Sequence, residues 1–344
     1  MTQITLALPY ALPPAQMAPD LIRALKTPAL ATLLSRHSEL QAASFDSDSR
    51  VLPHEAWLAS ALELVEGAAL GAPLAAAAMH GCGLQAEAAQ GYWFIVQPAH
   101  VQLARTHLLL SDPRQLHLSE ADSRALFELA RPAFEEVGAT LLYAEPGLWF
   151  ARADDWAGMD TASPDASVAQ NLSDWLPEGE RARAYRKLQN EIQMLWYEHP
   201  VNQAREQRGL PPVNSTWLWG GSHPRAGAPA PIAMSGGADW MQALAAPSLR
   251  QPSAEQLIAQ PGAVMVSHLI PSHVAGDWSD WLAGMQRIEE EWCAPLLAAL
   301  KAGRIGGVTL LLSHRSVTLR AVSSRMAQRK FWRAPSLNAL LDHA

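Results

Sequence analysis

Apolar and polar positions change period several times along the chain. Residues 3–8, QITLAL, read as a strand that stops at Pro9. Pro13, Pro14 and Pro19 mark a loop, after which Asp20 is placed to cap a short helix, DLIRALK. Thr27 followed by Pro28 predicts a second helix start, and Leu30, Leu33 and Leu34 give TPALATLLSRH one apolar face. Helix is expected over 53–66 and again in the alanine-rich stretch 67–81, interrupted at Pro73. YWFIVQP (92–98) and HLLLSD (107–112) read as strands. Ser119 opens a helix over 120–137 that Gly138 closes, and ATLLYAE and LWFARA are strands around Pro146-Gly147.

The polar stretch 160–173 reads as loop. A helix over 178–198 spaces Ala182, Tyr185, Leu188, Ile192 and Leu195 three or four apart. Pro200 breaks it near His199 and opens a shorter helix that Gly209 ends. Pro211-Pro212 lead into the strand VNSTWLW. Beyond the loop 220–231 come the strand PIAMSG, the helix DWMQALAA, a helix near 253–259 and the strand GAVMVSHL. A long helix over 279–302, the strand VTLLLSH, a turn at Arg315 and the strand SVTLRAV complete the series. The alternation predicts an α/β fold, a mostly parallel sheet flanked by helices. Residues 98–155 read as an inserted small α/β domain, leaving 1–95 and 165–344 as the core domain.

With 344 residues, 49% of them apolar, a large core is available. The formal net charge of −7 argues against a nucleic-acid footprint, which needs a basic face. The one basic run, Arg320, Arg325, Arg329, Lys330 and Arg333, reads as solvated surface. Two cysteines, Cys82 and Cys293, without a CxxC suit a reducing compartment. The first residues lack the basic start of a signal peptide, and no apolar run approaches the roughly 18 residues of a spanning helix. A cytoplasmic location without membrane attachment is expected.

The densest candidate chemistry lies in NEIQMLWYEHPVNQAREQRGLPPVNSTWLWGG, residues 190–221. Asn202 and Arg205 share a face of a short helix behind the His199-Pro200 break. An Arg fork suits phosphate or carboxylate. Asn214, Trp219, Gly220, Gly221 and His223 follow at the carboxyl end of the next strand, where open α/β sheets usually bind ligands. His199, Asn202, Arg205, Asn214, Trp219, Gly220, Gly221 and His223 therefore form the expected site for a small anion. The alternative is that Arg205 and Asn214 brace the turn at 209–212. The amides Gln189, Asn190 and Gln193 either line that site or face solvent. His268, His273, Asp277 and His314 are weaker candidates for a divalent metal, with polar strand ends as the alternative. Most of the 13 tryptophans are expected in the core.

The order His199, Pro200, Asn202, Arg205, Gly209, Asn214, Trp217, Trp219, Gly220 resembles archaeal-type cofactor-independent phosphoglycerate mutases of the alkaline-phosphatase-like superfamily. LKTPALATLLS near the start and SHLIPSHVAGDW (267–278) are similar to further segments of that family. With LQNEIQML and FWR included, the pattern is closer still to RpfE-type regulatory proteins. The resemblance implies an alkaline-phosphatase-like core with an inserted small domain. It also implies two divalent metals held by Asp and His and a Ser nucleophile. This chain departs from that: Leu8-Pro9 stands where Asp-Gly is implied, Ser272 where Asp is implied, and Ser313-His314 where Asp-His is implied. Histidines alone suit phosphate-bridging hard metals poorly. The expectation is a non-catalytic binding or regulatory protein without a cofactor. A phosphatase or mutase with a rearranged metal site, and a structural partner in an assembly, are the alternatives.

Overall fold

A computed structural model describes residues 2–65 and 72–343. Its strands are β1 (Gln3–Leu8), β2 (Glu39–Ser44), β3 (Trp93–Ala99), β4 (Val101–Ala104), β5 (His107–Leu110) and β6 (Thr140–Glu145). They continue with β7 (Leu148–Arg152), β8 (Ser215–Ser222), β9 (Ala233–Ser235), β10 (Ala263–Val266), β11 (Gly307–Ser313) and β12 (Val317–Ser324). The described residues form two compact units, one of 1–61, 231–237 and 245–344, the other of 62–230 and 238–244.

The first unit is built on a six-stranded sheet in the order β2-β12-β11-β1-β10-β9. β9, β10, β1 and β11 run parallel, while β12 and β2 add an antiparallel edge. The sheet is thus mostly parallel with flanking helices, as the alternation of elements requires. β1 lies inside it, and Ile4, Leu6 and Leu8 are fully buried with Val308, Leu310 and Leu312 of β11 in one core. β2 carries no apolar alternation in ELQAAS and is mostly exposed, so its pattern does not announce an edge strand.

One helix start and one helix cap here differ from the expectation. The first helix is Ala18–Ala24, beginning before Asp20, because Pro19 fits its first turn and Asp20 instead pairs with Arg23. The second, Pro28–Ser35, starts as expected with Thr27 at its N-cap position, but its first N–H groups donate no hydrogen bond to the threonine side chain. Glu289 caps it instead, accepting from the backbone N–H groups of Ala29 and Leu30 at 2.6 and 2.9 Å. The expected long helix 279–302 supplies that carboxylate through a defect. It runs as Trp278–Ile288, a π-helical turn Glu289–Cys293, and Ala294–Ala302. Pro295 has no N–H to give, so the regular ladder fails just behind it.

The second unit holds a four-stranded sheet in the order β6-β7-β3-β8, antiparallel throughout, and a small β4–β5 hairpin. The helices Glu120–Glu136 and Ala182–Tyr197 pack together and against this sheet. Ser119 caps the first as expected. The second buries Ala182, Tyr185, Leu188 and Ile192, but its stripe ends on Trp196, while Leu195 is exposed. Trp196 is four residues past Ile192 and its indole N–H reaches Leu126 O at 3.1 Å.

The boundary between units falls elsewhere than at 98–155. β8 pairs with β3 rather than with the parallel sheet, which brings 62–97 and 156–230 into the second unit. The expected helix 53–66 is seen as Pro53–Ala61, and the alanine-rich stretch as Ala75–Gly81. The parts of those expectations covering 66–71 lie outside the described residues. Among the described residues no helix is long and apolar enough to cross a membrane.

Candidate functional site

The residues singled out in 199–223 all belong to the second unit, and several do meet. Asn202 donates to Trp196 O and Val213 O and accepts from Val213 N, each at 2.8 Å. Arg205, only 1% exposed, donates from Nε to Pro211 O at 2.9 Å and from Nη2 to Leu116 O at 2.7 Å. Asn214 pairs with both backbone groups of Val101 at 2.8 Å. His199 N-caps its helix through Val201 N. Each polar head is spent on a backbone group that would otherwise be buried unpaired. The expected anion pocket is thus replaced by the bracing alternative: these groups hold the loop 208–214 against the helices and the hairpin.

Trp219 is buried, its indole N–H on Gln97 Oε1 at 3.0 Å and its ring 4.8 Å from Trp240. Gly220 has φ of +68°, and a Cβ on Gly221 would sit 2.7 Å from Phe94 Cε1, so both glycines serve backbone shape and packing. His223 is exposed and stands edge-on to Tyr92. Of the amides, Gln189 bonds Thr216 O, whereas Asn190 and Gln193 face solvent.

A different cluster lies in the first unit, beyond the carboxyl ends of β1 and β11. β1 ends in a turn in which Pro9 is followed by Tyr10 with φ of +59°, a left-handed conformation costly for an aromatic residue. Leu8 O and Ser313 O accept from Ala11 N and Leu12 N and hold the turn in place. The Tyr10 ring is thereby set 4.4 Å from that of His273 and 5.7 Å from that of His54. His273 lies 5.4 Å from His314 and 5.3 Å from Trp278. The backbone O of Tyr10 accepts from the Trp281 indole N–H at 2.9 Å.

The electrostatics of the cluster are set by burial, by the cation Arg315 and by the carboxylates Glu55 and Asp48 near it. Burial, and then the neighbouring His314, push the His273 imidazole down to about 3. Burial and then Arg315 lower His314. Burial also lowers Arg315, against the attraction of Tyr10, Glu55 and Asp48. Among the described residues, the His273 Nδ1 and the buried Ser313 Oγ have no hydrogen-bond partner. Strand-end position and the unusual Pro-Tyr pair were visible in the sequence. The gathering of Tyr10, His54 and Arg315 was not.

The metal candidates divide. His273 and His314 are neighbours, but His268 Nε2 meets Ser235 Oγ at 3.1 Å, and Asp277 caps the helix Trp278–Ile288 by accepting from Asp280 N. Among the described residues no group of three or more His, Cys, Asp or Glu could hold a metal ion. Ser272 and Ser313, both buried, occupy positions where the resemblance implies carboxylates. The donor set does not fit a pair of hard divalent ions.

No protein-family model matches the chain. Over 137 residues it is 30% identical to a probable 2,3-bisphosphoglycerate-independent phosphoglycerate mutase of Geobacter sulfurreducens, a stretch covering 38% of this chain and 34% of that protein. A 2,3-bisphosphoglycerate-independent phosphoglycerate mutase of Methanosarcina barkeri matches at 29% identity over 125 residues, 35% of this chain and 31% of that one. Over that stretch the chain is homologous to the cofactor-independent phosphoglycerate mutases. It spans only about a third of the length of these relatives. Among solved structures, the PH0037 protein of Pyrococcus horikoshii matches with a TM-score of 0.52 at 12% identity, covering 100% of this chain and 93% of that one, a likeness of fold. A cofactor-independent phosphoglycerate mutase from Thermoplasma acidophilum gives a TM-score of 0.47 at 13% identity, covering 100% of this chain and 95% of that one.

Proposed function

We propose that this phosphoglycerate-mutase-like chain has exchanged metal-dependent phosphoryl transfer for metal-free binding of a small anion, in a regulatory rather than catalytic role. The observation that carries this reading is the replacement of carboxylates at the strand ends by the Tyr10, His273, Ser313 and His314 cluster beside Arg315. Phosphoryl transfer of the mutase type needs metals to activate a nucleophile and to neutralise the transferred group. Imidazoles, hydroxyls and one guanidinium, the last with Glu55 and Asp48 near it, offer hydrogen bonds and a positive charge to an oxyanion.

The test has two arms. Mutase assays with 3-phosphoglycerate in magnesium, manganese or cobalt are expected to show no turnover. Turnover abolished by chelation would establish the rearranged-metal alternative. Calorimetry with phosphate and with 3-phosphoglycerate is expected to show binding that Arg315→Ala weakens about tenfold or more. Absence of heat with either anion would remove the binding role.

A further inference from the structure

A second cleft in the first unit opens at the carboxyl end of β9, the edge strand of its sheet. It measures about 580 Å³, of a size for a small molecule, and is lined by Ser235, Gln251, Ser253, Gln256, Glu291 and Trp292. Three parts of the chain meet there. Ser235 ends β9, and the segment of Gln251 runs along the open side of that strand, its N–H donating to Met234 O at 2.7 Å. Glu291 and Trp292 belong to the π-helical turn Glu289–Cys293, a defect that recurs at functional sites. Gln251 has φ of +50°, left-handed and costly for a residue with a side chain. A Cβ on Gly236 would lie 2.6 Å from His268 Nδ1, so glycine there lets the imidazole reach Ser235, Oγ to Nε2 3.1 Å.

The polar groups of this cleft are mostly donors. Gln251 Oε1 accepts from Gly236 N at 3.1 Å, and Gln256 Oε1 accepts from Ser253 N at 2.7 Å. With each oxygen engaged by the backbone, the two amides are oriented and keep –NH2 groups to give. Ser253 Oγ accepts from Gln256 N at 3.3 Å, which leaves its O–H as a further donor. Trp292 is 2% exposed, and its indole N–H has no acceptor among the described residues. A donor buried in that state gains from any acceptor brought to it. Glu291 is exposed and is the one ionised side chain among those lining the cleft. Burial, and then the nearby Arg287, lower the His268 imidazole against the pull of Glu291, so the ring beside Ser235 is uncharged at neutral pH.

The ligand that matches this inventory accepts from several donors and also donates to Glu291. An anion would face Glu291 with no cation in the lining to hold it. A simple ammonium would satisfy Glu291 and leave the amides unmatched. A hydroxyl both donates and accepts at one atom, without charge. We propose that the cleft binds an uncharged polyol of the size of a free monosaccharide, its hydroxyls taking hydrogen bonds from Gln251 and Gln256 and giving one to Glu291. This site is independent of the anion binding proposed for the Tyr10 cluster, which lies at the ends of β1 and β11.

Calorimetric titration of the full chain with D-glucose, D-galactose and myo-inositol, each to about 50 mM, tests this. At least one is expected to bind with a dissociation constant of about 5 mM or lower. Acetate and methylammonium at the same concentration are expected not to displace it. Gln251→Glu and Gln256→Glu keep the oxygen that accepts from the backbone and lose only the –NH2 donors, while Glu291→Ala removes the acceptor. All three positions are exposed, and circular dichroism checks that each variant folds. Each is expected to weaken binding about tenfold or more. Arg315→Ala, which alters the other cluster, is expected to leave it unchanged. Absence of heat with all three polyols overturns the proposal. So does displacement by acetate or methylammonium, which would give the cleft to a charged ligand. Binding that survives all three cleft variants, or that is lost in Arg315→Ala, overturns it as well, because the polyol would then sit elsewhere.

Discussion

Tyr10 stacks its ring 4.4 Å from that of His273, and does so from a left-handed backbone at φ +59°. A residue that pays strain to place its side chain is being used for that side chain. Removing the ring while keeping a Cβ should therefore be worse than removing both. Tyr10→Gly is expected to be more stable than Tyr10→Ala by about 1 kcal/mol, since only glycine takes this conformation without penalty. Urea denaturation of the two variants decides it, and equal stability would mean that the turn relaxes.

His273 predicts a pH dependence. Its imidazole is held down to about 3 in the fold, whereas an unfolded histidine takes up a proton near pH 6.5, roughly. Below that pH the unfolded chain binds a proton that the native chain refuses. The contribution of this group is thus fully present above about pH 6.5 and is lost progressively as the pH falls towards 3. Denaturant midpoints measured between about pH 4 and 8 should fall with acid less steeply in His273→Phe, which keeps a ring without titration. Parallel curves for variant and wild type would contradict the assignment.

Glu289 anchors a helix that its own segment does not contain. Its carboxylate satisfies the N–H groups of Ala29 and Leu30, which have no partners within the first turn of that helix. Glu289→Ala is expected to cost roughly 2–4 kcal/mol, and Glu289→Gln less, because an amide oxygen can still accept one of these bonds. Equilibrium unfolding of both variants gives the ranking. An equal loss for Gln and Ala would show that charge alone matters.

Arg205 is expected to act on stability. Arg205→Ala leaves Pro211 O and Leu116 O without their donor inside the second unit. A loss on the order of 2–4 kcal/mol follows, read as a lower melting temperature. Arg205→Lys should rescue little, since one ammonium cannot reproduce the fork that serves both carbonyls. Full stability in Arg205→Ala would return this residue to the list of ligand-binding candidates.

The local pattern carried the elements. Period-two and period-three-to-four apolar spacing, with Pro and Gly as punctuation, placed β1, the helix Glu120–Glu136, β8 and β11 within a few residues of where they lie. It also pointed to a mostly parallel sheet. β2 was not legible, because an exposed edge strand needs no apolar alternation. The partition into units was not legible either. Whether β8 joins the parallel sheet or pairs with β3 depends on which partner presents a matching edge, and the apolar spacing of β8 does not name that partner.

The site divides in the same way. Asn202, Arg205 and Asn214 were singled out as ligand-binding residues, and their side chains bond backbone groups instead. Their chemistry suits a ligand oxygen and a backbone carbonyl equally, so only the hydrogen-bond partners could choose between them. That Leu8-Pro9, Ser272 and Ser313 stand where the resemblance implies carboxylates was legible in the sequence. That Tyr10, His54, His273 and His314 replace them as one aromatic and imidazole cluster was decided by the tertiary structure. Parallel strands far apart in the chain deliver their ends to one place, and sequence spacing holds no record of that meeting.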